Sequence, residues 1–282
     1  MPGTLYVVAT PIGNLEDVTL RALRILREVS VIAAEDTRRT ARLLQHYSIP
    51  TPTTSLHEHN ERARVSGLIQ RLQNGESVAL VSDAGTPVIS DPGARLVAAA
   101  HEHGIRVEPI PGPSAVVATL SASGFGGDGF LFAGFAPARA EARRRWLESL
   151  KDESRPVAIF EAPHRIGALL AAAGQIFGDR PIAIGRELTK THEQLVIRPA
   201  FDWARDPPRE QGEFTVVIGP APDVPSLPAE AISDETVAAE FGQLIENEAV
   251  SRRDAIRRIA AKFNISSKAA YSALERHKKL VD

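Results

Sequence analysis

Short apolar segments alternate with amphipathic segments through the first 120 residues, and this pattern limits the fold more than any other feature. Residues 4–9 are apolar and rich in β-branched side chains, which is typical of a buried strand. Residues 61–74 repeat apolar side chains every three to four positions, which predicts an amphipathic helix. Such alternation is typical of a largely parallel sheet covered by helices on both faces. The predicted elements are strands at 4–9, 31–34, 77–81 and 107–110, and helices at 18–28, 37–46, 61–74, 93–103 and 113–123.

The pattern changes after the glycine-rich residues 124–129. From there the strands follow one another with fewer helices between them, which favours a mixed sheet. The predicted elements are strands at 130–133, 157–161, 182–186, 194–197 and 214–218, and helices at 141–150 and 165–177. The sequence therefore predicts the α/β class, with a parallel-sheet domain at 1–123 and a mixed-sheet domain at 124–222.

A third region follows a proline-rich stretch, which predicts a semi-rigid linker at 223–230. Beyond the linker, a small basic helical domain is expected at 231–282. Its predicted helices lie near 234–248, 252–263 and 267–279. The predicted end residues of these helices are Ser251 and Ser266 as N-caps and Asn264 as a stop. The last two helices resemble a helix-turn-helix.

The charge is distributed unevenly, although the net charge is only −2. Residues 249–282 hold nine Lys or Arg against three acids, a net charge of +6, so the rest of the chain sums to −8. A basic tail on an acidic body suggests a polyanionic partner, and a solvated helical face is an equal alternative.

Composition and motifs exclude several classes of protein. The chain has no cysteine, so disulfides and thiolate zinc sites are excluded. We expect a cytoplasmic protein, because the start lacks the features of a signal peptide and no apolar run reaches the ~20 residues of a membrane span. The glycines at 124–129 match G-x-G-x-x-G but follow a helix, so an interdomain linker is favoured over a nucleotide loop. The histidine pairs at 57/59 and 101/103 are poor candidates for a metal site, and a nucleophile elbow is missing.

Three turns rich in glycine and proline follow predicted strands, at 10–15, 82–87 and 110–115. Every βα turn needs such residues, but three at strand carboxyl ends favour a ligand site, because open α/β sheets bind ligands there. The turns contain Asp83 and no Lys or Arg, which disfavours a triphosphate and suits a cation or a sulfonium. Dense polar runs at 35–40, 161–165 and 185–193 also favour function.

These segments together carry a family resemblance over about residues 4–220. They are Ala-Thr-Pro-Ile-Gly-Asn-Leu, Ala-Glu-Asp-Thr-Arg-Arg-Thr, Ser-Asp-Ala-Gly-Thr-Pro, Ile-Pro-Gly-Pro-Ser-Ala, Glu-Ala-Pro-His-Arg and Arg-Glu-Leu-Thr-Lys. The set resembles the bacterial small-subunit ribosomal RNA cytidine 2'-O-methyltransferases of the tetrapyrrole methylase (class III) superfamily. Tetrapyrrole members usually carry Gly-Asp-Pro where this chain has Ser82-Asp83-Ala84, which argues against a corrinoid or uroporphyrinogen substrate.

The resemblance implies S-adenosyl-L-methionine as cofactor, a cytidine ribose of small-subunit ribosomal RNA as substrate, and a homodimer. No metal is expected, because the histidine pairs are poor candidates. The resemblance implies a cofactor cleft between the two α/β domains. The cofactor contacts that it implies are Pro11, Ser82, Asp83, Ala84, Gly85, Val88, Ser114, Ala115, Phe160, Glu161, Leu188, Glu213 and Phe214.

A ribose hydroxyl is a poor nucleophile, so a base or a cation should assist it. The catalytic candidates are Lys190, Glu187 and His192. Lys190 acts as a base only if burial lowers its pKa, and otherwise stabilises the developing alkoxide; the alternative is a structural ion pair between Arg186 and Glu187. RNA contacts are expected from the basic tail and from Arg38, Arg39, Arg139, Arg143, Arg144, Arg145, Arg165 and Arg186. For the arginines at 143–145 an exposed helix face is an equal alternative.

Two other functions stay open. The first is the same chemistry on a tetrapyrrole or precorrin, and the second is a non-catalytic RNA-binding module with a helix-turn-helix. Cofactor binding separates the second from either enzyme.

Overall fold

The computed structural model describes residues 1–127, 129–222, 233–248, 250–263 and 267–281. The chain divides into two compact units, Met1–Ala221 and Pro222–Asp282. The predicted linker at 223–230 lies outside the described residues, as do Asn264 and Ser266. The domain boundaries drawn from the sequence stay a prediction.

The first sheet of the larger unit is parallel throughout, as predicted, and has the strand order β3-β2-β4-β1-β5. Its strands are β1 (Thr4–Val8), β2 (Val31–Ala34), β3 (Thr53–Ser55), β4 (Val78–Val81) and β5 (Arg106–Ile110). Successive side chains point to opposite faces of a strand. Val31 accordingly joins one apolar cluster and Ile32 another, so both faces of the sheet are buried. The strand β3 was not predicted, because its three half-buried hydroxyl residues give no apolar pattern.

Five helices accompany this sheet. They are α1 (Leu20–Glu28), α2 (Thr37–His46), α3 (Glu61–Gln73), α4 (Ala94–Glu102) and α5 (Ala115–Ser123). The helix predicted from residue 18 begins later, because the Thr19 hydroxyl accepts a hydrogen bond from the Ala22 N–H and caps α1. Ser114 caps α5 in the same way, so Pro113 precedes this helix instead of opening it.

The second sheet is mixed, as predicted, with the order β6-β7-β10-β8-β9 and one parallel pair, β6 with β7. Its strands are β6 (Leu131–Phe135), β7 (Val157–Glu161), β8 (Pro181–Arg186), β9 (Gln194–Pro199) and β10 (Phe214–Ile218). Its helices are α6 (Ala140–Ser149), α7 (Pro163–Phe177) and α8 (Ala200–Arg205). Helix α8 was not predicted, because six residues are too few to show a helical period. Val116 and Leu120 of α5 pack on this second sheet.

Arg180 connects the second sheet to the loops around it through hydrogen bonds. Its side chain is only 5% exposed. Its guanidinium donates hydrogen bonds of 2.6–3.0 Å to four backbone carbonyls, those of Leu150, Lys151, Glu153 and Gly219. One buried side chain therefore joins two segments that are distant in sequence, residues 150–153 and Gly219.

The smaller unit contains α9 (Asp234–Glu248), α10 (Arg252–Phe263) and α11 (Ser267–Val281), close to the predicted helices. Its buried residues include Val237, Ala255, Ile259 and Ala270. Ser251 accepts a hydrogen bond from the Asp254 N–H, which confirms it as a cap. The turn of the predicted helix-turn-helix lies outside the described residues. In the part of the chain that is described, no helix is long and apolar enough to cross a membrane.

Candidate active site

The three glycine- and proline-rich turns meet at one edge of the first sheet, because they follow the neighbouring strands β4, β1 and β5. Thr10 and Gly85 exchange two backbone hydrogen bonds of 2.9 Å, which join the first turn to the second. The Thr86 hydroxyl donates to the Pro113 carbonyl at 3.3 Å, which joins the second turn to the third. Gly85 has φ of +79°, a backbone conformation that favours glycine. The prediction that the turns share one edge is confirmed.

A loop of the second sheet closes over the first turn. A β-carbon at Gly13 would lie 2.5 Å from Cγ of Lys190 and 2.7 Å from the Leu188 carbonyl oxygen. The first turn can therefore approach the loop between β8 and β9 only because residue 13 has no side chain.

A cavity of about 340 Å³ opens where these loops meet. Ten of the residues that were expected to contact a cofactor line it: Asp83, Ala84, Gly85, Ser114, Ala115, Phe160, Glu161, Leu188, Glu213 and Phe214. We call this space cavity 1. Pro11 and Ser82 instead line a second space, and Val88 lines neither. Which residues contact a cofactor stays a prediction.

The wall of cavity 1 includes five carboxyl groups and three phenylalanine rings. Burial raises the pKa of Asp91 to about 6, and the neighbouring Glu35 and Asp83 act in the same direction, against a hydrogen bond with Ser82. Burial also raises the pKa of Glu35. Phe135 adds an exposed ring beside them. Acidic groups next to apolar surface suit a cation with an apolar body.

Neither Asp91 nor Phe135 was predicted from the sequence as a site residue. Asp91 stands in a Ser-Asp-Pro segment just beyond the turn at 82–87, so a longer motif would have included it. Phe135 ends β6 and carries no polar signal; it reaches the cavity through the fold alone.

Backbone strain is concentrated around this site. Val88 and Ser90 have φ of +75° and +65°, and Glu187 and Thr189 have φ of +50° and +66°. For a β-branched residue such as Val88 a positive φ is rare. Strained residues cluster where surrounding structure holds a functional loop in one shape. The two loops that carry these residues are those that line the cavities.

A more polar space of about 360 Å³, cavity 2, adjoins cavity 1 and shares Ile12, Arg39, Asp83, Ala84 and Glu213 with it. Its other lining residues are Thr10, Pro11, Gly13, Leu15, Thr40, Arg42, Leu43, Ser82 and Lys190.

Lys190 lies in an ion-pair network at cavity 2. Its ammonium is 2.8 Å from Oε1 of Glu187 and 3.0 Å from Oε2 of Glu213. Burial alone would lower the pKa of Lys190, but the hydrogen bonds to the two carboxylates outweigh burial, and its pKa is raised. The ammonium is therefore charged at neutral pH, which favours the cation role over the base role. Glu187 pairs with Lys190, whereas Arg186 donates to the Gln211 carbonyl.

The remaining candidates lie in different surroundings. His192 is exposed and lines neither cavity. Arg39 lines both cavities, 3.4 Å from Asp83. Arg165 pairs with Glu161 and donates to the Ala136 carbonyl. The other expected RNA contacts are Arg38 beside Asp36, Arg144 beside Glu141 and Glu148, Arg186 beside Gln194, and the exposed Arg139 and Arg145.

Arg143 is only 9% exposed and donates to the Ala138 carbonyl. Its burial leaves little of the guanidinium for a phosphate, so a structural role fits this residue better than RNA contact. The rings of His57 and His59 are 6.0 Å apart, and no cluster of metal-ligating side chains is found among the described residues.

Comparisons with known proteins identify the family. Residues 4–202 match the model of the tetrapyrrole (corrin/porphyrin) methylases. The ribosomal RNA small subunit methyltransferase I of Pseudomonas aeruginosa is 51% identical over 221 residues, 77% of this chain and 78% of that protein. The protein of the same name from Synechocystis is 47% identical over 239 residues, 83% of this chain and 85% of that one.

Solved structures show the same fold at low sequence identity. Uroporphyrin-III C-methyltransferase from Thermus thermophilus, complexed with S-adenyl homocysteine, has a TM-score of 0.54 at 18% identity and covers 77% of this chain and 97% of that one. Diphthine synthase has a TM-score of 0.59 at 16% identity and covers 77% and 90%. The chain belongs to the tetrapyrrole methylase family of S-adenosylmethionine-dependent methyltransferases.

Proposed function

We propose that the protein transfers a methyl group from S-adenosyl-L-methionine to the ribose 2'-hydroxyl of a cytidine in small-subunit ribosomal RNA. The observation that carries the proposal is a pair of adjoining cavities, one with five carboxyl groups and three phenylalanine rings in its wall, the other with three basic side chains. Relatives of 45–51% identity that bear the name ribosomal RNA small subunit methyltransferase I support the same substrate class.

Cavity 1 fits the cofactor. The cofactor supplies a methyl group that its sulfonium has already activated. Glu35, Asp83 and Asp91 offer negative charge to a cation, and the rings of Phe135 and Phe160 offer apolar surface. The wall holds one arginine, Arg39, and no lysine, so a polyphosphate has few partners there. The protein's own work is to bind, orient and exclude water.

Lys190 fits the role of a fixed cation beside the acceptor hydroxyl. Its ammonium is at cavity 2, next to the wall that both cavities share. Methyl transfer forms the oxygen–methyl bond and breaks the sulfur–methyl bond, and the hydroxyl proton passes to solvent. Negative charge grows on the ribose oxygen as this proton leaves, and a preorganised ammonium stabilises that charge. Glu187 and Glu213 hold the ammonium in place and keep it protonated. Glu187 is thus a positioning residue in this proposal, and His192 has no assigned step.

Substituting Gly13 with alanine should lower kcat by about tenfold to a hundredfold, because a shift of about 1 Å in a catalytic group has effects of that size. The new β-carbon would overlap Lys190 and Leu188 and push their loop outward. The matched control is Gly67→Ala, whose β-carbon meets no atom within 4 Å and lies in α3. Steady-state methyl transfer measures both variants, and equal kcat for Gly13→Ala and Gly67→Ala would refute the role of this close approach.

Affinity for S-adenosyl-L-methionine should fall as the pH is lowered from 7 to 5. The pKa of Asp91 is about 6, so the carboxylate that attracts the cation is present above pH 6 and is lost below it. One titrating carboxyl changes the affinity by up to about tenfold per pH unit. Calorimetric titration should give a shallower slope for Asp91→Asn, whereas Asp206→Asn at an exposed site should match the wild type. An unchanged slope in Asp91→Asn would contradict the assignment.

The protein should act in the cytoplasm. The RNA should also contact basic residues outside the cavities, on α2, on α6 and on the helical C-terminal unit. Affinity for the RNA should then decrease steeply as salt is added, because phosphate contacts release counterions.

We further propose a homodimer, which analytical ultracentrifugation would detect.

Labelled methyl transfer tests the proposed function. The purified protein is mixed with labelled cofactor and small ribosomal subunits that lack the modification, and separately with uroporphyrinogen. Transfer to the RNA and none to the tetrapyrrole is the expected result. Transfer to the tetrapyrrole alone would show that the protein is a methyltransferase whose substrate is not RNA. Cofactor binding without transfer to either molecule would support neither substrate.

A further inference from the structure

Cavity 2 holds more positive than negative side chains. Its cations are Arg39, Arg42 and Lys190, and its carboxylates are Asp83 and Glu213. Cavity 1 has the opposite balance, with several carboxylates and Arg39 alone. The wall of cavity 2 therefore carries less negative charge than the wall of cavity 1.

Arg42 is the cation of cavity 2 that carries no compensating charge. Arg39 lies 3.4 Å from Asp83, and Lys190 bridges two carboxylates. Arg42 is exposed on α2, and within the described part of the chain its side chain has no hydrogen-bond or ion-pair partner. Its planar guanidinium is free to bind an oxyanion in a two-pronged arrangement, which is the geometry that a phosphate offers.

The structure of the acceptor nucleotide indicates which oxyanion would lie beside the Arg42 guanidinium. The ribose 2'-hydroxyl and the 3'-phosphate stand on neighbouring carbons of the same sugar. A cation that holds this phosphate therefore limits the position of the hydroxyl. An exposed arginine is by default a solvated one, but Arg42 lies on the wall of the same cavity as the Lys190 ammonium.

We propose that cavity 2 is the pocket for the acceptor nucleotide and that Arg42 binds the phosphate next to the ribose that is methylated. This inference rests on the proposed RNA substrate. Phosphate contacts fix the position of a nucleic acid without reading its bases. Arg42 should therefore govern how tightly and in what register the RNA binds, and leave the choice of base to other residues.

The experiment compares Arg42→Ala, Arg42→Lys and Arg64→Ala with the wild type. Arg64 is the matched control, because it is exposed on α3, lines neither cavity and has no side-chain partner among the described residues. Methyl transfer to small subunits that lack the modification gives KM and kcat at several salt concentrations. Calorimetric titration gives the dissociation constant for S-adenosyl-L-methionine.

Arg42→Ala should raise KM for the subunits about tenfold or more, because a hydrogen bond to a charged group contributes that much. The slope of the logarithm of the apparent affinity against the logarithm of the salt concentration should become shallower by about one. Arg42→Lys should recover part of the lost apparent affinity. Cofactor affinity and the Arg64→Ala variant should match the wild type.

Equal KM values for Arg42→Ala and Arg64→Ala would overturn the inference, and so would a loss of cofactor affinity in Arg42→Ala. Failure of the proposed function has a different signature, because the wild type itself would then transfer no methyl group to the subunits. If Arg42 instead governed KM for a tetrapyrrole, its partner would be an acid side chain of that substrate and the phosphate assignment would be wrong.

Discussion

Replacing Lys190 with alanine is expected to lower kcat for methyl transfer by about 10²–10³-fold, while the dissociation constant for S-adenosyl-L-methionine stays nearly unchanged. Removal of one fixed group that stabilises developing oxyanion charge has effects of this size. Lys190 lies in cavity 2 and not in the wall of cavity 1, so cofactor binding should survive its loss.

Single-turnover transfer and calorimetric titration measure the two quantities. Lys151→Ala is the control, because Lys151 is an exposed lysine that lines neither cavity. The raised pKa of Lys190 adds a second readout. If Lys190 acts as a cation, it stays protonated well above neutral pH. The wild-type rate should then show no increase between pH 6 and 9 that comes from deprotonation of Lys190. Near-full turnover in Lys190→Ala would reject the catalytic role, and a rate increase that disappears in the variant would mean that Lys190 is a base.

Replacing Arg180 with alanine should lower the free energy of unfolding of the larger unit by about 3–5 kcal/mol, with no direct effect on the cavities. The substitution removes the donor that four carbonyls now share at 2.6–3.0 Å. Those of Leu150 and Glu153 keep a backbone N–H donor, whereas those of Lys151 and Gly219 lose the guanidinium. A buried acceptor that loses its donor costs about 1–3 kcal/mol, so two such carbonyls account for a loss of this size, whereas loss of an exposed ion pair costs about 0.3–0.5 kcal/mol.

Urea denaturation followed by circular dichroism compares Arg180→Ala with Arg24→Ala. Arg24 forms an exposed pair with Glu28, one helical turn away, and serves as the matched arginine. A loss of similar size in the two variants would show that the buried carbonyls find other donors when Arg180 is absent.

Local patterns were enough to predict most of the two sheets and the edge where the turns meet. A buried strand such as β4 is a continuous apolar run, and the turn after it carries the glycine and proline that a tight connection needs. Because the carboxyl ends of neighbouring parallel strands face the same way, turns that are far apart in sequence could be placed together.

The pairing around Lys190 depends on distant residues and could not be predicted in the same way. Glu213 lies 23 positions further along the chain and reaches the ammonium because β10 pairs with β8. The sequence offered Arg186 as the partner of Glu187. Arg186 instead ends β8 and donates to the Gln211 carbonyl, while Glu187 leaves the strand with a φ of +50° and pairs with Lys190. The pKa of Lys190 depends on these contacts, so the sequence alone left open whether it acts as a base or as a cation.

The most direct test of the central proposal is nucleoside mass spectrometry of small-subunit RNA after reaction with isotopically labelled S-adenosyl-L-methionine. Enzymatic digestion of the RNA separates methylation of a base from methylation of a ribose. The expected product is 2'-O-methylcytidine that carries the label at one position of the RNA. Label on a base, or on the ribose of another nucleoside, would contradict the proposed reaction.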